Sequence, residues 1–94
     1  MKTVYHGTPY PAWPISLHQP MSFASDVKDA EAFAGPNGYV YALDIDESSA
    51  VEINDFDTFD CMKITGKFSD LPELTSNRES GWYIVKHPEY LRRI

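Results

Sequence analysis

The chain has 94 residues, a net charge of −6, 43% hydrophobic and 14% aromatic residues. That length supports one hydrophobic core and not two, which predicts a single domain, and that composition offsets chain entropy, which argues against a disordered chain. The acidic balance and the single cysteine, Cys61, argue against nonspecific binding to a phosphate backbone, and exclude an intrachain disulfide and a thiolate metal cage built from this chain alone.

Thr3 to His6 alternate in a β-favouring way and end at Gly7, which predicts a first strand delivering His6 to its end. Pro9, Pro11, Pro14 and Pro20 fix φ and remove donors, so residues 8–20 are expected to form a stiff, extended surface loop. Met21 to Ala24 reads as a short strand, with Ser25 placed to cap a following helix. Val27, Ala30, Phe33 and Ala34 give that helix one apolar face, Asp26 and Asp29 suit its positive end, and Gly35-Pro36-Asn37-Gly38 stops it.

Tyr39 to Ile45 is the clearest strand, with β-formers on both faces until Asp44, and is expected to be central. Ala50 to Ile53 predicts a short strand, Asn54 to Phe59 a turn or short helix, and Cys61 to Thr65 another strand. Gly66 to Ser80, with Pro72 and many polar residues, reads as a mobile connection. Trp82 to Lys86 is the last strong strand, His87-Pro88-Glu89-Tyr90 a turn, and Leu91 to Ile94 a terminal edge strand. Short hairpin-linked strands around one good helix predict an antiparallel α+β domain spanning 1–94 rather than a βαβ alternation. No apolar stretch approaches the roughly 20 residues that cross a bilayer. The start, Met1-Lys2-Thr3-Val4-Tyr5-His6, lacks the apolar segment of a secretory signal, so the expected location is the cytoplasm, without membrane contact.

Charge is unevenly placed. Between Lys28 and Lys63 lie nine carboxylates (Asp29, Glu31, Asp44, Asp46, Glu47, Glu52, Asp55, Asp57 and Asp60) and no Lys or Arg. Two readings follow: a solubilising face, or a docking surface for a basic protein that otherwise holds nucleic acid.

The residues with chemical potential are His6, His18, Ser22, Ser25, Cys61, Glu79 and His87. They form no H-E-x-x-H, Walker, G-x-G-x-x-G or G-x-S-x-G motif, so several enzyme classes drop out. His6 stands out because the adjacent Gly7 leaves space beside the imidazole and backbone groups within a ligand's reach; the plainer reading is a structural histidine. Cys61, beside Met62 and Ile64, reads as a small hydrophobe rather than a nucleophile. Trp13 and Trp82 suit either a core or a stacking platform.

Taken in order, Tyr5-His6-Gly7-Thr8, Ser22-Phe23-Ala24-Ser25 before an Asp-Val-x-x-Ala-x-x-Phe-Ala helix, Gly38-Tyr39-Val40-Tyr41, Phe59-Asp60-Cys61-Met62-Lys63-Ile64 and Trp82-Tyr83-Ile84-Val85-Lys86-His87-Pro88 span nearly the whole chain. This succession resembles the ADP-ribosyltransferase-like superfamily. The resemblance implies two small antiparallel sheets forming a split sandwich with one main helix, and a cleft between them that holds NAD as substrate. It implies that His6 bonds a ribose hydroxyl, that the backbone at Gly7 holds the nicotinamide carboxamide with Tyr5 and Thr8 beside it, and that Ser22 or Ser25 supports the ribose. Phe33, Tyr39 or Tyr41 would stack on the nicotinamide, with Trp82 a further ring for the cofactor.

The chemistry implied is loss of nicotinamide through a ribosyl cation stabilised by a carboxylate, then transfer of ADP-ribose to a protein acceptor. The family's glutamate ahead of its last strand is here Trp82, and the nearest carboxylate is Glu79, which Gly81 would allow to fold back. His6 and Glu79 are therefore the expected catalytic pair, with no metal. The other expectation is a non-catalytic acidic inhibitor on the same scaffold, using residues 44–60 against a basic partner. Very small members of the superfamily include phage-encoded inhibitors of bacterial CRISPR systems, and this chain is similar to them in size and charge.

Overall fold

A computed structural model describes residues 1–9, 20–65, 72–88 and 91–94, without the side chains of 63–65. The loop expected over 8–20, with Pro11, Trp13, Pro14 and His18, lies largely outside these residues, as do 66–71 and Glu89-Tyr90 of the expected turn. No helix among the described residues is long and apolar enough to cross a membrane.

The architecture is α+β. Strands β1 (Lys2–Thr8), β2 (Met21–Ala24), β3 (Tyr39–Ile45), β4 (Val51–Glu52), β5 (Leu74–Asn77), β6 (Trp82–Val85) and β7 (Arg92–Arg93) form one sheet in the order β4-β5-β6-β2-β1-β3-β7. Helix α1 (Val27–Ala34) follows β2, and helix α2 (Phe56–Thr65) follows β4. The expectation of two separate antiparallel sheets is corrected on both counts: hydrogen bonding runs through all seven strands, and β4 pairs with β5 in parallel.

That sheet is nevertheless uneven. β1 pairs with β3 along its length, from Lys2 opposite Ile45 to Thr8 opposite Tyr39, and β2 pairs with β6 from Met21 opposite Val85 to Ala24 opposite Trp82. Between these blocks, β1 and β2 meet at one register position only, Tyr5 opposite Ala24. The sheet is thus two half-sheets joined at a seam.

Side-chain alternation gives the halves a common core. Val4, Leu43 and Ile45 from one half pack with Phe23, Leu74, Tyr83 and Val85 from the other on one face. On the opposite face α1 lies over β1: a Cβ built on Gly7 would stand 1.7 Å from the Ala30 carbonyl oxygen. There α2 covers the other half, with Phe59 and Met62 against Ile84 and Trp82.

Four further local expectations are corrected. Asp26 rather than Ser25 caps α1, its side chain accepting from the Lys28 amide at 2.9 Å. Cys61 to Thr65 belongs to α2 and is not a strand, which gives the domain a second helix. Asp55 decides that region: its carboxylate accepts from the Asp57 amide at 3.2 Å and the Thr58 hydroxyl at 2.6 Å, and Phe59 and Met62 then fall on one buried face. Within the span expected to be a mobile connection, Leu74 to Asn77 forms β5 and is wholly buried. β3, expected to be central, is next to the short edge strand β7. The Gly35 stop holds: its φ is 73° and its amide donates to the Glu31 carbonyl at 3.0 Å.

Candidate functional site

The seam opens into a cavity of about 140 Å³ lined by His6, Gly7, Ser22, Phe33 and Trp82. Its geometry follows from where β1 and β2 part. The Ile94 amide donates to the Val40 carbonyl at 2.9 Å, so Val40 turns its backbone groups to β7. Its β1 partner, Gly7, therefore turns its own amide and carbonyl away from β3 and towards β2. On the other bank, the Ser25 amide donates to the Gly81 carbonyl at 2.8 Å, so Ser25 faces β6, and Ala24 and Ser22 face β1.

His6 sits in the gap. Its Nδ1 is 2.7 Å from the Ser22 carbonyl oxygen, which can only accept, so Nδ1 carries the proton and in the neutral ring Nε2 holds a lone pair. The imidazole also lies 5.7 Å from the Phe23 ring, tilted at 55°, which holds it against the core. A side chain thus takes the Ser22 carbonyl at a point where a continuous ladder would use a backbone donor from Gly7.

The walls are aromatic. Phe33, on α1, meets Trp82, on β6, edge to face, with centroids 5.6 Å apart and planes at 86°. Phe33 is 62% exposed, so it stands at the mouth, whereas Trp82 is anchored against the cluster under α2. The cavity is the size of a single six-membered ring and well below the roughly 300 Å³ at which pockets for larger ligands begin. Two aromatic side chains, an imidazole and the backbone of Gly7 border it.

The remaining nominated residues lie outside this lining. Tyr5 holds the seam's one β1–β2 register position. Thr8 pairs with Tyr39 at the end of the β1–β3 ladder, and the Tyr39 ring lies 4.4 Å under the Arg93 guanidinium. Tyr41 pairs with His6 on one side and Arg93 on the other. Ser25 gives both its amide and its hydroxyl to the Gly81 carbonyl, each at 2.8 Å. Glu79 is exposed in the turn between β5 and β6.

Several acidic residues of the 44–60 stretch serve local structure. Asp44 accepts from Thr3 at 2.7 Å and pairs with Arg92 at 2.8 Å, and these hydrogen bonds, Arg92 first, hold its carboxyl below the ordinary range. Asp46 accepts from the Ser48 hydroxyl at 2.6 Å, which lowers its pKa in the same way. Glu47 accepts from the Tyr83 phenol at 2.6 Å; that bond lowers the Glu47 pKa, while burial first and this carboxylate second push the phenol up to about 12. Nothing local in the chain announces this contact between β6 and the turn after β3, so the pair has no signal in the sequence. Cys61 is exposed rather than a buried hydrophobe, and His87 lies 3.0 Å from Glu73 at the surface. Among the described residues no group of His, Cys, Asp or Glu is arranged to hold a metal ion.

Comparison with protein-family models, with curated proteins and with solved structures returned no match to this chain.

Proposed function

We propose that this chain is a small NAD-binding domain of the ADP-ribosyltransferase-like kind, whose seam pocket takes the nicotinamide end of the dinucleotide. The observation that carries the reading is the pocket lining: His6, Gly7 and Ser22 at the parting of β1 and β2, with Phe33 and Trp82 as walls. A planar carboxamide ring suits that lining, since it offers a π-face to the aromatics and both a donor and an acceptor to the backbone at Gly7. The volume of about 140 Å³ supports one ring inside, with the rest of the dinucleotide over the outer surface. Binding without turnover is favoured, because Glu79 lies in an exposed turn and outside the lining.

Calorimetric titration with NAD, nicotinamide and ADP-ribose tests this. NAD and nicotinamide bind, and Trp82→Ala weakens both by about tenfold or more, the scale of a lost ring contact. Failure of the wild-type protein to bind either ligand sinks the reading. A second, transferase reading rests on one feature: the turn carrying Glu79 leads through Gly81, at φ 75°, directly into Trp82. Its test is chromatographic detection of nicotinamide release in the presence of a protein acceptor. Release that disappears in Glu79→Gln would establish turnover.

A further inference from the structure

We propose that Ser25 is a positioning residue that fixes the Trp82 wall of the pocket from the opposite face of the sheet and does not touch the ligand; this rests on reading the pocket as a ring-binding site. Ser22 and Ala24 share the register face that carries the pocket, and alternation sends the Ser25 side chain to the other face. The Ser25 amide and hydroxyl converge on one carbonyl, that of Gly81, filling both of its lone pairs at 2.8 Å each.

Gly81 is the residue before Trp82 and is held from its other end too. Its amide donates to the Asn77 carbonyl at 3.0 Å, and the Asn77 side chain, 1% exposed, donates to the Ile53 carbonyl at 2.8 Å and accepts from the Ser80 amide at 3.0 Å. The backbone there has φ 75°, which glycine adopts without a Cβ penalty and can equally leave, so the position of the turn depends on these hydrogen bonds. A Cβ on Gly81 would lie 3.5 Å from the Ser25 hydroxyl, in ordinary contact. Ser25 therefore closes the bracket whose free end is the indole. Removing the hydroxyl leaves the Ser25 amide bonded to the Gly81 carbonyl, while the peptide leading into Trp82 gains freedom.

The test uses the full chain in a Trp13→Phe background, where Trp82 is the only indole of the two in the sequence. Ser25→Ala shifts the Trp82 emission to the red, weakens the near-ultraviolet dichroism of the Phe33–Trp82 pair, and lowers nicotinamide affinity between about twofold and tenfold. Ser25→Thr, which keeps the hydroxyl, restores all three. A Ser25→Ala protein with native far-ultraviolet dichroism and unchanged indole emission and near-ultraviolet signal overturns the proposal. So does failure of Ser25→Thr to restore them. Should Ser25→Ala not fold, Ser25→Cys, with its weaker donor, is read by the same spectra. If the parent protein binds no nicotinamide, the pocket reading falls, while the spectra still decide the role of Ser25.

Discussion

Gly7 has two duties, and they pull the same way. It lets the Ala30 carbonyl approach to 1.7 Å of where a Cβ would be, and it leaves polar backbone directed into the pocket. Because the obstructing atom is backbone, α1 must move as a body to admit a methyl group, so Gly7→Ala is expected to cost about 1–3 kcal/mol or more. Urea unfolding measures this, and a loss below about 0.5 kcal/mol would contradict the close approach. The Tyr83–Glu47 pair makes a second prediction at this scale. Glu47 has a folded pKa below its ordinary 4.5, so its contribution is present above that pH and is lost as pH falls through the lowered value. Tyr83 has a raised folded pKa of about 12, against 10.0 ordinarily, so its contribution is full below pH 10.0 and is lost as pH rises towards 12. Tyr83→Phe should lower the melting temperature at neutral pH and flatten both limbs of its pH profile. Limbs identical to wild type would separate the pair from stability.

At the scale of elements, α2 is the unit that sets the sheet's connectivity. A parallel pair needs a crossover of a dozen or more residues, and α2 supplies the crossover between β4 and β5. Phe59, fully buried against Ile84 and Trp82, fastens that helix. Phe59→Ala is expected to cost about 3–5 kcal/mol, and because Trp82 belongs to the same cluster, its fluorescence should change in the native baseline as well. Denaturant titration followed by indole emission checks both. Cys61 to Thr65 is helix where the sequence predicts a strand, and the parallel pair depends on that helix. Alternating Met62 and Ile64 imitates a two-residue period, whereas the helical signal needed Asp55 as a cap and Phe59 with Met62 as a three-residue step.

Across the whole molecule, the seam raises the question of whether the half-sheets unfold separately. They share one core: Val4, Leu43 and Ile45 interlock with Phe23, Tyr83 and Val85 beneath the single Tyr5–Ala24 register position. Far-ultraviolet dichroism and tryptophan fluorescence should therefore report coincident denaturant transitions. Two resolved transitions would mean that the seam divides the domain.

The α+β class, the strands at Met21 to Ala24, Tyr39 to Ile45 and Trp82 to Val85, and the stop at Gly35 were legible in the chain, because each depends on near neighbours: alternation, helical spacing, a glycine at positive φ. His6, Gly7, Ser22, Phe33 and Trp82 were expected at a site through the family resemblance that their succession carries, and the folded chain brings these together around one cavity while leaving Glu79 in an exposed turn. Tertiary structure alone decided that β5, polar in sequence, is buried, and that Ser25 serves Gly81, 56 positions away. It also decided that the sheet parts beside His6. Those outcomes depend on which strands become neighbours, and hydrogen bonds made across such distances leave no periodic trace in the residues that make them.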